Sequence, residues 1–423
     1  MQTMDKETLT GRYAEVRNVT MKLIEPLEKE DFIIQSDADV SPPKWHIAHT
    51  TWFFERMILK EFKSGYEEFN ARFDFLFNSY YNSIGPYQPR HERGVLSRPT
   101  VEEIIAYRQY VDSQMKDLLA ETHTPEQAHQ LGKLVEMGLQ HEQQHQELIL
   151  MDVKYNFFVN PLFPAYKETQ AQQAIEPKEA AFVEFAGGLV EIGHQGEGFA
   201  FDNESPRHKV WLEPFQLASE PVTNGEFLEF IEAGGYEQPE HWLSDGWGVV
   251  KKNNWKAPLY WLKNEQQQWE IFTLGGVKNL DLAEPVSHVS FYEADAFSRW
   301  KGKRLPTEAE WEHAAQNLPI QGNMMEQEAY HPSTAQNEST APLSKMFGDV
   351  WEWTSSAYSS YPGSKPLEGA LGEYNAKFMS NQMILRGGSC ATPASHIRET
   401  YRNFFPPDKR WQFGGFRLAD DQA

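Results

Sequence analysis

The chain has 423 residues, more than one ordinary core holds and comfortable for two domains. Hydrophobic residues make up 40% and aromatic ones 13%, which excludes wholesale disorder. A formal net charge of -22 repels phosphate backbones and excludes nucleic acid as a natural partner. The opening MQTMDKETLT is polar and acidic, without the basic end and apolar run of a secretory signal. No apolar stretch approaches the roughly 18 residues of a membrane helix. Cys390 is the only cysteine, so no internal disulfide can form, and the chain reads as cytoplasmic.

The first half reads as four helices, the count of a small bundle. One lies near residues 5–29, and a second enters after Pro43 in PPKWHIAHTTWFFERMILKEF. A third opens at Thr100, with Glu103 three residues on, the spacing of a capping box. The fourth repeats that signal with Thr124 and Gln127, and Pro125 takes the favoured first helical position. Its apolar residues Leu131, Leu134, Val135, Gly138, Leu148 and Ile149 recur at helical spacing. The polar stretch YKETQAQQAIEPKEA marks a linker.

Beyond the linker the texture changes. Eleven of the thirteen tryptophans follow residue 182, with glycine pairs and short β-type runs such as FVEFAGGLVEIG and HKVWLEPFQLA. Helices are few: NGEFLEFIEAGG, SFYEADAFSRWKG and TEAEWEHAA, the last opened by Thr307 and Glu310 as a capping box. The expected fold is multidomain, α then α+β: a four-helix bundle at 1–165, a linker at 166–181 and a loop-rich domain at 182–423.

The fourth helix carries LQHEQQHQEL. His141 and His145, four apart, share one helix face and can grip one ion. Such a pair also occurs on ordinary polar faces, so a third ligand decides the matter. WHIAH offers His46 and His49 on the second helix, and a facing helix is a normal source of a third ligand in a bundle core. Neutral imidazoles suit Zn, Fe, Ni or Cu alike, and three protein ligands leave positions open for catalysis. Glu142 and Glu147 read as neighbours of the site or as solvated. Gln144 can flank the metal on the His141 face. Tyr80 and Tyr81 lie in the polar loop FNSYYNSIGPYQPRHERG, and a phenol there can give a proton. Arg90 and Arg93 follow in the same loop, and a forked guanidinium suits a carboxylate.

Several strings of the second half, in order, are ESPRHKVWLEPF, PVTNGEFLEFI, PVSHVSFYEADAFSRWKGKRLPTEAEWEHAA, GDVWEWTSSAY, LRGGSC and GGFRLA. Together they resemble the formylglycine-generating-enzyme (sulfatase-modifying factor) fold, a variant of the C-type lectin fold. The first half, through WHIAH and HEQQH, resembles the DinB-like helical bundle. The pair of domains resembles the sulfoxide synthases of ergothioneine biosynthesis. These are mononuclear non-haem iron enzymes that use O2 to join a thiol to C2 of hercynine and leave a sulfoxide. The resemblance implies Fe(II) held by His49, His141 and His145. It implies an active-site tyrosine in the Tyr80–Tyr81 loop and thiol-binding arginines at Arg90 and Arg93. It sets Gln144 against hercynine and Asn403 against the hercynine carboxylate. Phe404 and Phe405, next to Asn403, offer faces for a trimethylammonium group or for core packing. The site is then expected between the domains.

The mycobacterial type carries Trp-Asp after this asparagine, and that Asp helps to hold γ-glutamylcysteine. Phe404-Phe405 stands there instead, which favours free cysteine as the thiol. The pathway implies a histidine methyltransferase and a sulfoxide lyase as partner enzymes. Four alternatives remain from the residues: an ovothiol-type synthase, a selenium-transferring relative, a DinB-type thiol transferase, and a lectin-like binding protein. A formylglycine-generating enzyme works with two cysteines in this domain, and Cys390 alone reads as a buried small residue.

Overall fold

The structure, a computed structural model, describes residues 6–168, 180–334 and 342–421. Most of the expected linker, 169–179, lies outside the described residues. The chain divides into two compact units. The first is Met1–Lys167 with Gly196–Phe199 and Leu367–Tyr374, and the rest of the chain forms the second.

Four long helices build the first unit: α1 (Lys6–Ile24), α2 (Pro43–Phe54), α3 (Val101–Ala120) and α4 (Pro125–Val159). α1 stops at Ile24, short of residue 29, because Pro26 bars the helical conformation from Glu25. Both expected capping boxes are formed. Thr100 accepts from the Glu103 amide and Thr124 from the Gln127 amide, and each acid or amide side chain reaches back. α4 continues to Val159, since after Pro125 no proline interrupts it before Pro161.

All twelve residues of α2 are buried, so it is the bundle's central helix rather than a surface one. It continues through a π-turn at Glu55–Leu59, where the buried Glu55 accepts hydrogen bonds from Tyr66 (2.6 Å) and Tyr107 (2.5 Å). Gly138 lets α4 come close. A Cβ there would sit 2.7 Å from the Phe54 ring, so any larger residue would push the two histidine-bearing helices apart.

The second unit is built of small sheets and short helices. Phe215–Ala218 pairs antiparallel with both Phe182–Phe185 and Ala419–Asp421. A four-stranded sheet runs in the order Asn403–Phe405, Met383–Arg386, Trp351–Ala357, Gly414–Gly415. Gly188–Ile192 pairs with His208–Leu212, and Trp261–Lys263, Trp269–Thr273 and Gly276–Asn279 form a meander. The three expected helices are Asn224–Glu232, Phe291–Trp300 and Glu308–Ala315. A further helix, Ser244–Asn253, was not expected.

The core of this unit is rich in paired charge. Arg417 forks onto Glu352 at 2.6 and 2.7 Å, Arg402 onto Glu308 at 2.9 and 2.9 Å, and Arg398 onto Glu204 at 3.1 and 2.6 Å. Two tryptophans find partners too: Trp311 donates to Glu352 and Trp353 to the Val289 carbonyl. Cys390 is buried and forms no disulfide.

Candidate metal centre

The polar run on α4 splits between two faces. Glu142 and Gln146 turn toward α1. Glu142 takes hydrogen bonds from Arg17 (2.7 Å), Thr20 (2.6 Å) and Arg108, while Gln146 donates to the Val16 carbonyl. Burial opposes the Glu142 charge, but Arg108 and Arg17 outweigh it and hold its pKa at about 2. His141 and His145 take the other face, toward α2.

There they meet His49. The three imidazoles are buried, with ring centroids 4.7–4.9 Å apart, and one nitrogen of each lies within 4.8 Å of the others. Nε2 of His49 and Nε2 of His141 stand 3.2 Å apart. Two nitrogens bound at roughly 2.1 Å to one ion stand about 3.0–3.4 Å apart for right-angle to tetrahedral geometry. The donor set therefore fits a metal ion.

Two of the rings are held by hydrogen bonds behind them. His49 donates from Nδ1 to the Phe77 carbonyl at 2.6 Å, which leaves its Nε2 lone pair for a metal. Trp45 and Trp52 stack on the His49 ring at 4.6 and 5.6 Å. Nδ1 of His145 lies 2.8 Å from Nδ1 of His46, whose Nε2 lies 2.9 Å from Asp152. Nδ1 of His141 is buried with no hydrogen-bond partner among the described residues. Burial drives all three pKa values down, His141 to about 3, so the rings are neutral ligands near pH 7.

Around this cluster stand other expected residues. Tyr81 is fully buried, 4.7 Å from Tyr80 between ring centroids, and its Oη makes no hydrogen bond of ordinary geometry among the described residues. Burial, then the Tyr80 and Tyr374 phenols, push its pKa well above the usual value. Gln144 is half-buried and accepts a short hydrogen bond from Tyr374.

Arg90 and Arg93 share a short 3-10 segment but differ sharply. Arg90 is exposed and donates to the Asp39 carbonyl. Arg93 is buried, lies 3.3 Å over the Trp45 ring, and donates to Ser41 (2.9 Å) and Ser79 (3.0 Å). Asn403, Phe404 and Phe405 lie in the second unit. Asn403 accepts from its neighbour's amide at 2.9 Å, and Phe404 stacks on Tyr358 at 4.1 Å.

Two participants were missed in the sequence, and a third was given another part. Tyr374 belongs to the first unit although it comes some 230 residues after Gln144, and its ring lies 5.6 Å from His141. No local pattern announces it. Asp152 had a usable signal, since it follows His145 by seven residues, two turns along the same face. His46 was seen, but only as a rival to His49.

Two family models match the chain. The DinB superfamily matches residues 12–149, and the sulfatase-modifying factor enzyme 1-like domain matches 167–422. The chain is 30% identical to a hercynine oxygenase of Mycobacterium tuberculosis, over 98% of this chain and 99% of that protein. A hercynine oxygenase of Mycolicibacterium smegmatis is also 30% identical, over 98% and 99%. A formylglycine-generating enzyme of Streptomyces coelicolor is 31% identical over 56% of this chain and 88% of that enzyme.

Proposed function

We infer the chemistry of this site from its family: the chain belongs to the hercynine oxygenases, the sulfoxide synthases of ergothioneine biosynthesis. It is an enzyme of small molecules that joins a thiol to C2 of hercynine. The observation that carries the reading is the convergence of His49, His141 and His145 on one point.

His49, His141 and His145 would hold Fe(II), which when bound supplies activation of O2 and open positions for the thiol and the imidazole. The chain's own groups do the rest. Tyr81, kept neutral by burial, is a proton donor, and Tyr80 beside it shares that task. Tyr374 fixes Gln144, which orients the hercynine ring. Arg93, buried without a carboxylate partner among the described residues, takes the carboxylate of the thiol substrate, with Arg90 near the entrance. Asn403 takes the hercynine carboxylate, and Phe404 and Phe405 face its trimethylammonium group. With Phe405 at the second position after Asn403, cysteine rather than γ-glutamylcysteine is the thiol. A single buried cysteine, Cys390, outside any disulfide suits a cytoplasmic enzyme. A histidine methyltransferase would supply hercynine and a sulfoxide lyase would consume the product. Within the described residues no helix is long and apolar enough to cross a membrane.

The test is anaerobic reconstitution with Fe(II), then O2 uptake with cysteine and hercynine and mass spectrometry of the product. γ-Glutamylcysteine and histidine serve as alternative substrates. Hercynylcysteine sulfoxide, absent with His145→Ala, supports the reading. Bound iron without O2 uptake for any pair overturns it.

A further inference from the structure

The three histidines are not backed alike. Behind His49 stands a backbone carbonyl, and behind His141 no hydrogen-bond partner among the described residues. Behind His145 stand two further side chains in a line, ending in a carboxylate. His46, His145 and Asp152 are 2%, 8% and 1% exposed, so water does not compete for these contacts.

A neutral imidazole has one N–H and one lone pair. His145 can offer a metal its Nε2 lone pair only with its hydrogen on Nδ1. That Nδ1 is 2.8 Å from His46 Nδ1, so His145 must donate there and His46 must accept. His46 then keeps its own hydrogen on Nε2, where Asp152 Oδ2 accepts it at 2.9 Å. The backbone amide of Ser41 donates to the same oxygen at 2.8 Å and fixes the carboxylate. The opposite order fails. A hydrogen on Nδ1 of His46 would set its lone pair on Nε2 against the carboxylate and force His145 into the tautomer that cannot bind through Nε2.

We propose that His46 and Asp152 are positioning residues: they set the tautomer of His145 and pass the carboxylate's charge to it, making it the strongest electron donor of the three. This rests on the reading that the three histidines hold a metal. His46 is thus not the rejected alternative to His49 but the residue behind a ligand from the facing helix. One pairing of α2 with α4 sets two ligands at once, because His46 and His49 lie on α2 and His145 and Asp152 on α4.

The test uses the full chain. Wild type, Asp152→Asn and His46→Phe are titrated with Co(II), and the Fe(III)/Fe(II) midpoint potential of the iron-loaded proteins is measured. Groups behind a ligand typically change metal affinity 10–100-fold. Both variants are expected to bind Co(II) about 10–100-fold more weakly and to hold iron at a higher potential, since the anionic push that favours Fe(III) is gone. A purely structural role would lower thermal stability and leave the potential where it was. Folded variants with wild-type affinity and potential overturn the proposal. Wild type that binds no Co(II) or iron overturns the metal reading itself, which is a separate result. Should both variants fail to fold, 15N NMR of histidine-labelled wild type loaded with Zn(II) decides. The proposal requires His46 with hydrogen on Nε2 alone, and hydrogen on its Nδ1 sinks it.

Discussion

In the second unit Arg417, Arg402 and Arg398 each meet a buried glutamate through two hydrogen bonds. In the bundle Arg93 is buried too, yet only two serine hydroxyls and a tryptophan face receive it, and its Nε has no partner among the described residues. The same contrast runs through the bundle itself. Glu142 is matched by Arg17 and Arg108, whereas His141 Nδ1 and Tyr81 Oη are left without ordinary hydrogen bonds. A buried charge is expensive unless paired. The paired charges hold the fold, and on the proposed function Arg93, His141 and Tyr81 await something from outside.

That division can be broken by substitution. The largest effect is expected from His145→Ala. It leaves two ligands, and iron content and O2 uptake should both fall to background while the fold survives. Next comes Glu352→Gln, which strands Arg417 in the core. Removing one partner of a buried pair costs about 3–5 kcal/mol, read as a loss in urea unfolding. Arg93→Met should behave in the opposite way. If it holds the thiol substrate as proposed, its loss should remove a charged hydrogen bond worth about 1.5–3 kcal/mol, a rise in KM of roughly ten- to hundredfold. Stability should hold or rise, because no carboxylate is orphaned. If Arg93→Met destabilises the protein as much as Glu352→Gln and leaves KM unchanged, the contrast fails.

How much of this was legible depends on how local the cause is. Capping boxes at Thr100, Thr124 and Thr307 were readable because the partners lie three residues apart, and all three form. The His141–His145 pair was readable for the same reason. Spacing could not choose between His46 and His49. The choice rests on what stands behind each ring, the Phe77 carbonyl for one and Asp152 for the other. The helix Ser244–Asn253 was hidden because its SDGWGVVKKN holds two glycines, poor helix formers. It is made by tertiary fit: Gly246 lies close against the Tyr292 side chain, where a Cβ would come within 2.8 Å, and Asn254 ends it in the left-handed conformation. Strand pairings such as Ala419–Asp421 on Phe215–Ala218 span some 200 residues, and no sequence period encodes them.

The last test probes the matched class by pH. Glu284 in the second unit is 1% exposed and lies 2.9 Å from His331 and 2.6 Å from Lys278. Burial raises its pKa, but His331 and then Lys278 outweigh that and hold it at about 2. In the unfolded chain a glutamate takes its proton near the ordinary value of about 4.3. Between these values the unfolded state binds more protons, so acid favours unfolding. The contribution is whole above about pH 4.5 and is lost as pH falls toward 2; its size is on the order of 3 kcal/mol. Glu284→Gln should therefore flatten the acid limb of a stability-against-pH curve and lower stability at pH 7. Turnover and both KM values should stay put, since this carboxylate's demands are met within the chain. An unchanged acid limb would show that Glu284 is not held ionised by its neighbours. A changed KM would place a fully paired group in the reaction, and pairing would then no longer separate scaffold from site.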